Sequence, residues 1–349
     1  MKKIIIGLLC SFNFAIACTS FGAITESGSI IGKNRDFMYS KQTFELIEPL
    51  RQFVAWYGNS YNHQNQFYAL MAGNDVKFGV NKYGLTAIEE DPPFPQGTYS
   101  QRRYMQPYTG YAEGMILYGI LQNFATVDEI IPYINRIFST AAPNYYQIAD
   151  AHKILTVEVA YGNSDNDPVR KYVYRILKKR GDYFAHTNTY LEPQFESLNN
   201  MSTNKYGIAG SNNRLNKIGQ YIKAANGNFN NAFSWYLDTR SDVRNPNDKD
   251  FCENTSIFRS NLQNLTSIRS DTKTNKVYGT VSSFMVEHKG NEAIVHVRIL
   301  NSIDKLKNGN QKITYKELNT PLSKLFASNQ LEYSSHTFIR SSPTNGKCK

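Results

Sequence analysis

A strand that starts directly after a processing signal constrains this chain more than any other feature. The stretch "FAIACTSFGAI" runs from Phe14 to Ile24. Lys2-Lys3, a short apolar segment from Ile4 to Phe14 and the small-x-small tripeptide Ala15-Ile16-Ala17 have the form of a secretory signal cut before Cys18. The apolar segment falls short of the roughly 18–20 residues of a membrane span. Thr19 to Ile24 read as a strand, Glu26-Ser27-Gly28 as a turn, and Ser29 to Ile31 as the start of a returning strand. A tight hairpin brings that second strand, with Lys33, Arg35 and Asp36, back beside Cys18.

Cleavage after Ala17 gives Cys18 a thiol and a free α-amine on neighbouring atoms. An α-amine has a pKa of about 7.7–8.0, so it accepts a proton near neutral pH. One residue then holds both nucleophile and base. Nearby positive charge, here Lys33 or Arg35, favours the reactive thiolate.

The junction admits a second reading. A lipoprotein signal also ends in a small residue followed by cysteine, and lipidation blocks both the thiol and the amine. The chain would then be a membrane-anchored binding module. Such signals prefer Leu three positions before the cysteine, where this chain has Ala15. A lipidated cysteine is usually followed by a polar linker, whereas here a hydrophobic strand begins at once.

The remaining sequence alternates between the two periods. Strands are expected in "RQFVAWYG" from Arg51, "QFYALMAG" from Gln66, "KFGVNKYGLTAIEE" from Lys77, "HKILTVEVAYG" from His152 and "RKYVYRILKKRGDYFAHTN" from Arg170. Tyr111–Phe124 has apolar residues at helical spacing. Thr126-Val127-Asp128-Glu129 has the form of a capping box before "EIIPYINRIF", in which Pro132 predicts a kink or a later start. Helices are also expected in "RLNKIGQYIKAA" and "NNAFSWYLDTRSD", and a late hairpin is expected to turn at Gly290-Asn291. No repeat or linker interrupts this order. It predicts a single α+β domain over residues 18–349, with antiparallel sheets layered against helices. The Pro-, Gly- and Tyr-rich stretch between Asp91 and Gly110 reads as a long loop bordering a pocket.

Charge narrows the partners. Lys and Arg number 39 against 29 Asp and Glu, a net charge of +10, but the positives do not gather in one basic run. A solvated basic face is therefore favoured over nucleic-acid binding. His63 and His152 lack the cysteines or carboxylates of a metal site, and no cofactor motif is present. Of four cysteines, Cys10 leaves with the leader. The economical arrangement of the rest pairs Cys252 with Cys348 and leaves Cys18 free.

"CTSF", a hairpin and then "GKNRD" resemble the N-terminal-nucleophile (Ntn) hydrolases of the choloylglycine hydrolase and penicillin V acylase superfamily. The nearest likeness is to the isopenicillin N acyltransferase-like branch. "GVNKYGLTAIEE" is similar to an asparagine-bearing strand turn, "FAHTNTYL" to a His-Thr-Asn segment, and "SNNRLNKI" to a helix opened by an arginine. "GTVSSFMVEHKGNEAIVHV" is similar to a late hairpin. The resemblance spans about residues 18–300.

It implies an αββα four-layer sandwich with two stacked, mainly antiparallel sheets. It implies Cys18 as nucleophile, Asn81 as oxyanion donor and Asn188 holding the α-amine or substrate. Asp36 would orient the amine or leaving group, and Arg214 is the family arginine. Lys33 stands where relatives carry a thiol-tuning arginine, and Arg35 is the other candidate for that role. The implied activity is cleavage of linear N-acyl amides through an acyl-enzyme, or transfer of the acyl group to an amine. The implied partner is a small-molecule amide, with no nucleic acid or stable membrane anchor and room for a homo-oligomer. The leader implies a periplasmic or secreted protein. His186 reads as a structural histidine, because this mechanism already has its base.

Overall fold

The structure is a computed structural model describing residues 18–38, 42–49, 64–73, 75–92, 113–139, 141, 143–160, 171–201, 205–225, 263–265, 276–307, 311–328 and 330–340. The strands in chain order are β1 (Thr19–Ile24), β2 (Ser29–Met38), β3 (Thr43–Ile47), β4 (Phe67–Ala72), β5 (Asp75–Asn81), β6 (Thr86–Glu90), β7 (Asn144–Ala149) and β8 (Ile154–Ala160). They continue with β9 (Lys171–Leu177), β10 (Tyr183–His186), β11 (Gln263–Leu265), β12 (Lys276–Lys289), β13 (Glu292–Lys305), β14 (Gln311–Pro321) and β15 (Ser334–Arg340). The helices are α1 (Glu113–Asn123), α2 (Val127–Ile130), α3 (Ile134–Phe138), α4 (Lys205–Ala225) and α5 (Leu322–Ala327).

Two antiparallel sheets carry the fold. One runs β10-β1-β2-β12-β13-β14-β15 with β11 beside β12, and the other runs from β3 to β9 in order. Alternation along each strand sends one set of side chains inward. Ile31, Phe284, Val286 and Val297 of the first sheet meet Leu70, Phe78, Val80 and Ile88 of the second in one buried cluster. The Phe78 and Phe284 rings stack across the interface at 4.5 Å. Outside the second sheet, α1 lays Ile116, Leu117, Ile120 and Leu121 against Ala87, Tyr146 and Ile148. Outside the first, Ile218 and Ile222 of α4 pack on Phe21, Ala23, Ile30 and Met285. The four αββα layers expected from the sequence are present.

Local chemistry explains the elements. Thr126 Oγ1 accepts the Glu129 N–H at 3.3 Å, and Glu129 Oε2 returns to the Ala125 N–H at 2.7 Å. Reciprocal bonds of this kind start a helix by filling orphan donors. Pro132 then interrupts the ladder, and a 3-10 turn (Ile131–Tyr133) separates α2 from α3. The helix expected from Arg214 begins earlier, at Lys205. Gly207, Gly210, Asn212 and Asn213 are poor helix formers and disguise its first turns. Its buried stripe of Ser211, Arg214, Ile218 and Ile222 has helical spacing.

The leader, the strand expected from Arg51, the Tyr-rich loop, the helix expected from Asn230 and the Cys252–Cys348 pairing lie outside the described residues. Among the described residues, no helix is long and apolar enough to cross a membrane.

Candidate active site

Cys18 sits at the head of β1, 3% exposed, as a free thiol. β1 lies between β2 and β10, with Ser20 opposite both Lys33 and His186. Strand alternation puts Ser20 on one face of β1, and its neighbour positions Lys33 and Arg35 on the matching face of β2. This face meets the second sheet. Asn34 and Asp36 lie on the other face of β2, toward the layer of α4.

The Cys18 N–H donates to Asn188 Oδ1 at 2.8 Å. The same oxygen accepts from Arg214 Nη2 at 3.1 Å. Arg214 also donates from Nε to Thr19 Oγ1 at 3.0 Å and from Nη2 to Ser211 Oγ at 3.3 Å, with the Cys18 carbonyl at 3.5 Å. Arg214 is 1% exposed, and its guanidinium ties α4 to the start of β1. Asn188 Nδ2 donates to the Asp91 carbonyl at 2.8 Å, just past the end of β6. One carboxamide thus bridges the two sheets at the nucleophile. Asn188 follows β10 directly, so the pairing of β10 with β1 delivers it to Cys18.

Lys33 is fully buried and donates from Nζ to the Glu89 carbonyl, with Glu89 Oε1 at 3.3 Å. Glu89 Oε2 accepts from Asn144 Nδ2 at 3.0 Å, and Lys77 Nζ lies 3.9 Å from Oε1. Burial alone would raise the Glu89 pKa, but the charges of Lys33 and Lys77, the Asn144 bond and Arg35 hold it below the usual carboxylate range. Burial pushes the Cys18 thiol up to about 12. Lys33 opposes the rise, while Glu90, Glu89 and Asp91 add to it. Lys33 is one of the two cations considered from sequence, and its charge lowers the thiol pKa. A thiol held this high does not ionise alone near neutral pH, so its attack requires a base.

Asn81 is placed differently from the expected oxyanion donor. Its Nδ2 donates to the Leu121 and Phe124 carbonyls at 3.0 and 2.7 Å, and its Oδ1 accepts from Tyr83 and Leu85 N–H at 3.0 and 3.1 Å. Both amide hydrogens are given to the C-terminal end of α1, and none is left to offer Cys18. The side chain instead clamps the β5–β6 turn, whose Gly84 has φ +89°. Asp36 is buried and accepts from Thr280 Oγ1 at 2.6 Å, across the β2–β12 pairing.

Residues overlooked in the sequence complete the site. The run Glu89-Glu90-Asp91 at the end of β6, which had read only as the end of a strand, carries three negative charges that raise the Cys18 thiol pKa. Burial, and then the Glu89 charge, raise the Asp91 pKa. Among the described residues no cluster of His, Cys, Asp and Glu fits a metal ion.

The acyl-coenzyme A:6-aminopenicillanic acid acyl-transferase family model matches residues 24–280, a span that starts just after Cys18. No curated protein matches the chain significantly. Two structures of conjugated bile acid hydrolase from Clostridium perfringens are similar to it at 12% identity. One covers 91% of this chain and 96% of its own with a TM-score of 0.43, and the other covers 94% and 99% with 0.44. A Caenorhabditis elegans ortholog of N-acylethanolamine-hydrolyzing acid amidase is similar at 14% identity, over 77% of this chain and 92% of its own, with a TM-score of 0.36.

Proposed function

Because this chain belongs to the acyl-coenzyme A:6-aminopenicillanic acid acyl-transferase family, we propose that it cleaves linear N-acyl amides through Cys18, freed as the N-terminal residue by removal of residues 1–17. The observation that supports this most directly is the hold on Cys18 nitrogen by Asn188 Oδ1 at 2.8 Å, with Arg214 fixing the same oxygen. An oxygen acceptor there positions an α-amine with its lone pair free for the thiol proton.

In the first step the thiol proton passes to the α-amine as sulfur bonds the substrate carbonyl carbon. The oxyanion that forms needs a donor, and Asn188 Nδ2, which gives one hydrogen to the Asp91 carbonyl, has a second to offer. One such donor is worth about 10²–10³ in rate. The ammonium then returns its proton to the departing nitrogen as the C–N bond breaks, leaving an acyl-cysteine thioester. Water, or an acceptor amine, attacks that thioester with the α-amine again taking its proton. Hydrolysis and acyl transfer share every residue up to this point. Asp36 accepts from Thr280 across the β2–β12 pairing, on the strand that also carries Lys33.

The leader fits export to the periplasm or medium, with cleavage and activation as one event. The mature protein assayed for amine release from a panel of N-acyl amides, with and without amine acceptors, tests the reading. Cys18→Ala is expected to remain folded and lose all turnover, and full activity in that variant would refute the assignment. An intact mass carrying acyl chains on Cys18 would favour the anchored binding module instead.

A further inference from the structure

We infer that His186 is a positioning residue of this site: clamped between Glu90 and Glu158, its positive charge neutralises the carboxylate that faces Cys18 and fixes the turn that presents Asn188. The inference rests on the functional reading above and deepens it.

The geometry carries the charge. His186 Nδ1 lies 2.6 Å from the Thr187 carbonyl oxygen and 3.3 Å from Glu90 Oε2. Nε2 lies 3.0 Å from Glu158 Oε1. Both ring nitrogens face only acceptors, so both carry hydrogen, and the ring is an imidazolium. Burial works against that charge, but the bonds and charges of Glu158 and Glu90 outweigh it and raise the pKa to about 10. The Tyr145 ring packs 4.1 Å from the imidazole.

Glu90 is the reason the charge matters. It is fully buried, and His186 Nδ1 lies 3.3 Å from its Oε2. Its compensation is the His186 ion pair. It lies on the β6 face shared with Ile88, which meets the opposite sheet. Its charge reaches Cys18 and raises the thiol pKa, beside Lys33, which lowers it, and Glu89 and Asp91, which raise it. Arg214 adds a cation from the α4 side. Glu158 serves the other half of the role. Its Oε1 also accepts the Leu191 N–H at 2.9 Å, and its Oε2 the Glu192 N–H at 3.2 Å. The segment holding Thr187 and Asn188 is therefore pinned on both sides.

Without the imidazolium, Glu90 is an uncompensated negative charge facing the Cys18 amine. It stabilises the ammonium and keeps the base protonated to higher pH. In the mature enzyme, His186→Gln is expected to move the acid limb of kcat/KM up by about one pH unit, a tenfold loss of rate along that limb. Glu90→Gln is expected to move it down, and the double variant to return it toward wild type. A residue that only holds structure lowers the plateau and leaves the limb in place, and that result in both single variants overturns the inference. If His186→Gln does not fold, Glu90→Gln decides alone. Imidazole NMR of the Cys18→Ala protein gives a reading independent of turnover: His186 is expected to stay charged at pH 8, and a neutral ring there overturns the inference. Failure of the functional reading shows separately, as no amide cleavage by the wild type or full cleavage by Cys18→Ala.

Discussion

Arg214 and Cys18 share one acceptor: the guanidinium Nη2 and the cysteine N–H both donate to Asn188 Oδ1, at 3.1 and 2.8 Å. The oxygen is fixed by a cation that is itself anchored on Thr19, next in sequence to the nucleophile. The position of the nucleophile's nitrogen thus depends on a helix residue 196 positions further along the chain.

Arg214→Lys tests that dependence. Lysine keeps the charge but lacks the planar fork that reaches Thr19, Ser211 and Asn188 together. Misplacing a reacting group by about 1 Å can cost about 10²-fold in rate. We expect kcat to fall by about that factor while KM changes little, measured by amine release on a common N-acyl amide.

Asn81 separates stability from chemistry. Replacing it with Ala strips a partner from the Leu121 carbonyl and from two turn N–H groups, while the Phe124 carbonyl keeps Asn65 Nδ2 at 2.9 Å. Each buried group left unsatisfied costs about 1–3 kcal/mol. Asn81→Ala is expected to lower Tm sharply while leaving the turnover per folded molecule within a few-fold of wild type. A loss of about 10²–10³ in kcat with unchanged Tm would restore Asn81 as an oxyanion donor.

That residue also shows what the sequence makes legible. Most of the strands, both covering helices and the hairpins at Gly28 and Gly290 follow from period and turn chemistry, which are local. So does the nearness of Lys33 to Cys18, because one hairpin sets it. Asn188 and Arg214 were reached through resemblance, and their contacts with Cys18 depend on which strands become neighbours. Asn81 misleads because a motif gives a residue's place in the chain and not the direction of its carboxamide. The acidic run closing β6 stayed invisible for a related reason: "TAIEED" states nothing about which sheet face opposes it. β3, β7, β11, β14 and β15 were not expected; "NYYQIA" and the C-terminal strands lack a clean alternation bounded by turn residues.

Lys33 supports the thiol and the fold at once. Lys33→Met leaves Glu89 buried with Lys77, Asn144 and the charge of Arg35 to support it. Breaking one side of a buried pair costs about 3–5 kcal/mol. The thiol also loses the charge that opposes its high pKa. We expect both a lower Tm and a lower kcat/KM, with partial recovery of both in Lys33→Arg. The depressed Glu89 pKa fixes the acid behaviour of the wild type: its stabilisation is present above the ordinary carboxylate range and is lost as pH falls through the folded value.

His288 predicts a second acid-sensitive step at higher pH. Burial lowers its pKa from 6.5 to about 4, despite the opposing charge of Asp150. Its imidazole packs beside Gly84 in the β5–β6 turn. The folded state resists protonation that the unfolded state accepts, so stability is full above about 6.5 and declines as pH falls toward 4. Thermal melts in steps across that window are expected to show a falling Tm. His288→Asn, lacking the titrating group, is expected to flatten the decline.

The last expectation concerns the peptide bond before Cys18. While Ala17 remains attached, the Cys18 nitrogen is an amide, which donates to Asn188 Oδ1 but has no basic lone pair. The thiol, pushed up to about 12 by burial, then has no partner for its proton at the point of attack. A chain whose cleavage is blocked at Ala15 and Ala17 should keep Cys18, Lys33 and Asn188 in place and still be inactive, with kcat/KM down by at least about 10³ given what positioned acid–base catalysis typically supplies. Trimming the same protein in vitro so that Cys18 becomes the first residue should restore activity with no other change. Mass spectrometry of the N-terminus beside the amine-release assay checks both halves. Full activity in the uncleaved chain would mean that some other group takes the proton, and the role given to the α-amine would fall.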